Sequence, residues 1–110
     1  MMPSETICAD AFFSMLGIAM RAGALTLGED GVKKAIASGK AAFVLVDDGA
    51  SDNTKKLFSD ACAYYGVPLM TAQAQRLGQA IGKPGRMSAA VAKGPLGEKL
   101  FSLAAQDRKA

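Results

Sequence analysis

Apolar residues recur at helical spacing from the start of the chain. In residues 10–22, DAFFSMLGIAMRA, Phe12, Phe13, Leu16, Ile18, Ala19 and Met20 fall along one broad face, which predicts a largely buried helix stopped by Gly23. Residues 24–27 are short and β-prone. Residues 29–38 again show helical spacing, with Val32, Ala35 and Ile36 inward and Gly39 at the end. The run AFVLVDD, residues 42–48, is continuously apolar and closed by two acids, the pattern of a central strand buried on both faces.

Residues 51–66 open with polar helix-start residues and then place Leu57, Phe58, Ala61, Cys62 and Tyr65 at helical intervals before Gly66. VPLMTA, residues 67–72, predicts a strand, and residues 72–82 a short helix with Leu77, Ala80 and Ile81 inward. KPGR then forms a loop, MSAAVAK a strand of small residues, LGEKLFSLAAQ a closing helix and QDRKA a frayed basic end. Helices alternating with short strands predict an α/β domain with helices on both faces of a small sheet. With 110 residues, half of them hydrophobic, the expectation is one domain with its core over about residues 10–104 and short flexible termini.

Charge changes this picture more than composition does. The net charge of +3 is mild, but residues 73–110 carry seven basic and two acidic side chains, against six and eight in residues 1–72. The C-terminal third therefore holds the positive field that an acidic partner such as nucleic acid would meet. Two cysteines far apart, neither in a CxxC spacing, and no histidine leave no metal or cofactor set to expect, and point to a reducing, cytoplasmic compartment. The apolar run at residues 12–20 is too short to cross a bilayer, so no membrane partner is expected.

Two segments carry candidate binding chemistry. In LTLGEDGVKK, Gly28 and Gly31 let a ligand approach the backbone at a helix start, where unpaired amides and the helix dipole favour an acceptor, and Lys33 and Lys34 add phosphate-binding charge. Glu29 and Asp30 repel phosphate and suit base N–H groups instead. The competing reading is purely structural: Thr26 to Glu29 fits a capping box, with Thr26 bonding the amide of Glu29 and Glu29 reaching back. In IGKPGRM, Lys83, Pro84, Gly85, Arg86 and Met87 form either a basic binding loop or an ordinary polar turn.

Signals for catalysis are thin. GxGxxG, GxxxxGK[ST] and GxSxG are missing, and Asp47-Asp48, the only acid pair at a strand end, reads as a turn and helix-start device ahead of GASDNT. Tyr64-Tyr65 offers a surface for base stacking, yet helical spacing turns one of the pair toward the core. A non-enzymatic protein is expected.

The ordered series AMRAGALTLGED, KAIASGKAAFVLVDDGASDNT, YYGVP and LGQAIGK resembles the ribosomal protein L-seven-Ae / L-thirty-e family, in particular its small bacterial YlxQ-type members, over about residues 12–100. The resemblance implies a three-layer α/β/α sandwich with a small four-stranded mixed sheet, and binding to structured RNA, kink-turns or ribosomal RNA among them. By position, Gly28 matches the glycine of the family's Gly-x-Asn-Glu helix start, Lys34 its lysine, and residues 83–87 its second RNA-contacting loop. Where that pattern has Asn-Glu, this chain has Asp30-Gly31. The expectation is therefore a ribonucleoprotein-type RNA binder with Gly28, Glu29, Asp30 and Gly31 at the RNA groove, Lys33, Lys34 and Arg86 on phosphates, and the loop against bases or sugars. Its rival is a protein-interaction module or weak homodimer of the same fold.

Overall fold

A computed structural model describes residues 6–108. The elements run β1 (Thr6–Ile7), α1 (Asp10–Arg21), β2 (Leu25–Leu27), α2 (Glu29–Ala37), β3 (Ala41–Asp47), α3 (Asp52–Tyr65), β4 (Leu69–Ala72), α4 (Arg76–Ile81), β5 (Ser88–Ala92) and α5 (Pro95–Arg108). One mixed sheet joins them in the order β1-β4-β3-β5-β2. β1, β4 and β3 are parallel, while β5 runs antiparallel to both β3 and β2.

The sheet has five strands rather than the expected four. The extra one, β1, is two residues long, too short to leave any alternation in the sequence, and its partner is β4 more than sixty residues away. Ile7 is nonetheless fully buried, so the core begins before residue 10. At the other end α5 runs on to Arg108, through residues expected to fray; residues 1–5 and 109–110 of the expected flexible termini lie outside the described residues.

β3 shows how the two faces are filled. Phe43 and Leu45 join a cluster with Phe12, Phe13 and Leu16 of α1, Leu77 of α4 and Leu100 of α5, whereas Val44 joins Val32 and Ile36 of α2 and Phe58 and Cys62 of α3. Alternate residues of a strand point to opposite faces, so a sheet covered on both sides needs an unbroken apolar run. Ala41 has the parity of Phe43 but packs in the other cluster, because the register with β5 shifts between them. The layers are thus α1, α4 and α5 on one face and α2 and α3 on the other, the expected sandwich. Each fully buried large apolar side chain contributes about 1.5–3 kcal/mol, and Phe12, Phe43 and Phe58 are among the largest.

Helix starts and ends follow local chemistry. Ser51 caps α3 by accepting the amide of Thr54 at 3.2 Å, and Gly66, left-handed at φ 71°, closes it. α4 begins at Arg76 rather than residue 72, since Gln75 takes φ 70° and residues before it form a turn. On α1, Ile18 remains 43% exposed despite its apolar neighbours. Among the described residues no helix is long and apolar enough to cross a membrane, and no group of three or more His, Cys, Asp or Glu could hold a metal ion.

Candidate nucleic-acid interface

Topology brings the two candidate segments to one edge of the sheet. β2 pairs antiparallel with β5 so that Leu27 lies opposite Ala89, and β5 pairs with β3 so that Ser88 lies opposite Val46. The start of α2, the end of β3 and the loop leading into β5 therefore sit side by side. Only Gly28 separates β2 from α2, and it makes that reversal at φ 87° and ψ 148°, a conformation open almost solely to glycine.

No side chain caps α2. The capping box that Thr26 and Glu29 could make does not form, because the N-cap position is Gly28, two residues after Thr26, which puts Thr26 out of place to cap. Thr26 instead stays in β2 opposite Ala90, with its methyl over Gly31, where a Cβ would come within 2.9 Å. The first-turn amides of α2 are thus left to an external acceptor.

The 83–87 loop is braced at both ends. The amide of Lys83 donates to the carbonyl of Gly78 at 2.9 Å, and the amide of Arg86 to the carbonyl of Lys83 at 3.3 Å. Gly78 has no room for a side chain, since a Cβ would lie 2.9 Å from the Lys83 oxygen and 3.1 Å from the Gly85 nitrogen. At the far end the amide of Asp47 donates to the carbonyl of Met87 at 2.8 Å. The Asp47 side chain, fully buried, accepts the Gln75 amide through both oxygens at 2.6 and 2.7 Å and the Gly49 amide at 3.4 Å. That one carboxylate ties the end of β3 to the start of α4, fixing the loop from beneath.

The two segments meet. Arg86 Nη1 lies 4.0 Å from where a Cβ of Gly28 would stand, and Gly28, Glu29, Gly85, Arg86 and Met87 share a cleft of about 210 Å³ with Thr54, Phe58 and Ser88. On its other side the loop, from Pro84 to Met87, walls a second cleft of about 230 Å³ with Gln75, Gly78 and Gln79. Gly31 and Lys34 line a third, of about 460 Å³, running beside β5 toward Lys40. Asp30, Lys33 and Lys83 are exposed and line none of these three.

Sequence reasoning did not reach Thr54, Phe58 and Ser88 as cleft residues. Phe58 reads as plain core from its spacing, and Ser88 as one of a run of small residues; only the topology sets them beside Gly28. Tyr64 and Tyr65 lie outside the cleft, about 15 Å of helix rise beyond Thr54. Neither enters the core: they are 82% and 50% exposed, and their rings meet edge to face at 4.8 Å. The inward positions of α3 are held by Phe58 and Cys62 instead.

The sequence profile of the ribosomal protein L7Ae/L30e/S12e/Gadd45 family matches residues 10–100, which include both segments. The chain belongs to this family. Within it, the chain is 41% identical over 93 residues to the RNA-binding protein YlxQ of Bacillus subtilis (strain 168), covering 84% of this chain and 93% of that one. It is 39% identical over 82 residues to the RNA-binding protein YlxQ of Enterococcus faecium, covering 74% and 80%. Among solved structures, a protein of unknown function from Bacillus halodurans C superposes with a TM-score of 0.81 at 35% identity, over 88% of this chain and 99% of that one. The Giardia lamblia 15.5kD RNA binding protein shares the fold, with a TM-score of 0.74 at 19% identity over 94% and 92%.

Proposed function

We propose that this protein binds structured RNA without catalysing a reaction, and that the RNA seats where the start of α2 meets the 83–87 loop. The observation that carries this reading is the placement of the Arg86 guanidinium beside Gly28, which makes one cleft, lined by the Arg86 cation and the Glu29 acid, of two segments 58 positions apart in the chain. Family membership and the RNA-binding relatives support it. In this reading an unstacked base enters the cleft edge-first. Glu29, which lines the cleft, accepts its N–H groups with Asp30 as an exposed acceptor beside it, and the first-turn amides meet its carbonyls or a phosphate. Lys33, Lys34 and Arg86 take phosphates, giving affinity without sequence preference, while Lys83, Pro84 and Met87 lie against sugars and bases. A kink-turn, which presents exposed bases beside a sharply bent backbone, is the RNA class we assign.

The test is a mobility-shift titration on a kink-turn RNA and an unstructured RNA of equal length. Wild type should prefer the kink-turn, and Lys34→Ala combined with Arg86→Ala should weaken both complexes and lower the log–log salt slope by about 2. Unchanged binding by the double variant would show the site to be elsewhere.

A second reading, a protein-interaction module or weak homodimer, draws on the exposed Phe101, which lines an apolar hollow of about 400 Å³ with Ala42, Pro68 and Gly97. A light-scattering mass above that of one chain at micromolar concentration would favour it.

A further inference from the structure

We propose that the groove between α1 and α4 is a second contact for the backbone of the same RNA, in which Arg21 and Gln79 hold phosphates of a helical stem flanking the segment seated in the cleft. This rests on the RNA-binding reading above and extends it to a different face.

The groove measures about 760 Å³. Its floor is backbone, because α1 and α4 touch at Gly17, where a Cβ would lie 2.9 Å from the carbonyl oxygen of Ala80. Over that floor hangs the guanidinium of Arg21, with Nη1 3.8 Å from the Gly17 Cβ position. Among the described residues Arg21 has no ion-pair partner. The other arginine of the groove is differently placed: Arg76 pairs with Asp10 at 2.8 Å and stacks over the Phe13 ring at 4.3 Å, so its charge is offset locally. Arg21 is therefore the uncompensated charge.

Gln79 supplies the continuity. It lines this groove and also the cleft on the outer side of the 83–87 loop, so the two are neighbours and a chain that passes Gln79 goes from one to the other. Ser14 adds a hydroxyl donor to the guanidinium and the amide. Three donor groups with one net charge over a backbone floor suit phosphate oxygens, which accept from both charged and neutral donors. Ile18 is the one exposed large apolar side chain here, less than the contiguous patch that a protein partner takes.

Mobility-shift titrations of the full chain between 50 and 200 mM salt, on kink-turn RNAs with short and with long flanking stems, test this. On the long-stem RNA, Arg21→Ala should lower the log–log salt slope by about 0.9, one phosphate contact, and Gln79→Ala should weaken binding in the same direction. On the short-stem RNA neither should change anything, and hydroxyl-radical protection of the long stem should vanish with Arg21→Ala. If Arg86→Ala weakens both complexes while Arg21→Ala and Gln79→Ala leave both unchanged, the extension is wrong and the cleft stands. An equal loss on both RNAs from Arg21→Ala also overturns it, since the stem is then not the ligand. If a polyglutamate peptide binds and Arg21→Ala abolishes that binding with RNA affinity unchanged, the groove takes a protein. No change from Arg86→Ala on either RNA overturns both readings together.

Discussion

Asp47 does at the residue scale what neither candidate segment does for itself. It is the buried acid whose carboxylate holds the Gln75 and Gly49 amides and whose own backbone amide donates to Met87, so a single residue braces the loop beside Gly28. Asp47→Ala should cost about 1–3 kcal/mol in urea denaturation, the range for leaving a buried donor such as the Gln75 amide without its acceptor. It should also weaken RNA binding although Asp47 touches no RNA. Cys62 gives a pH-dependent test of the other face. Burial pushes its thiol up from an ordinary 9.0 to about 11, so the unfolded chain gives up this proton at lower pH than the folded one. That contribution to stability is complete below pH 9 and is lost as pH rises from 9 toward 11. At pH 8 a thiol reagent should modify exposed Cys8 and reach Cys62 only after unfolding. The residue scale is also where sequence reasoning slipped: Thr26 and Glu29 have the letters of a capping box, but Gly28 starts the helix between them.

At the scale of elements, periodicity was legible wherever an element is long enough to express it. α1, α2, β3, α3 and α5 start within about two residues of where their apolar spacing predicts, because burial of one face or of both dictates the residue types. β1 was illegible since two residues carry no period, and the start of α4 because Gln75 is held left-handed by Asp47, a contact 28 positions away. The same contrast holds in the site. Gly28, Lys34 and Arg86 were visible as motifs, whereas Ser88 joins the cleft through strand pairing and Thr54 and Phe58 through the packing of α3 on the same face as α2. Gly78 shows how an element constrains the loop. Gly78→Ala would force a methyl against the Lys83 carbonyl and the Gly85 amide, backbone atoms that cannot swing aside. Overpacking of this kind costs about 1–3 kcal/mol. A thermal melt should register that loss, and RNA affinity should fall further than the melt alone explains, because the displaced segment is the one that carries Arg86.

Over the whole molecule, two cations of the basic C-terminal third, Arg76 and Arg86, sit against residues of the N-terminal part of the chain. Arg86 stands beside Gly28, and Arg76 against Asp10 and Phe13. A net charge of +3 is therefore a weak guide, while the local placement of a few cations is a strong one. In the proposed function, two distant segments form one RNA-binding cleft. Amide chemical-shift mapping during titration with a kink-turn RNA tests it most directly. The largest shifts should gather on Gly28, Glu29, Gly31, Gly85, Arg86 and Ser88 together. Shifts on only one of the two segments, or on Tyr64, Tyr65 and Phe101 with both segments silent, would contradict it.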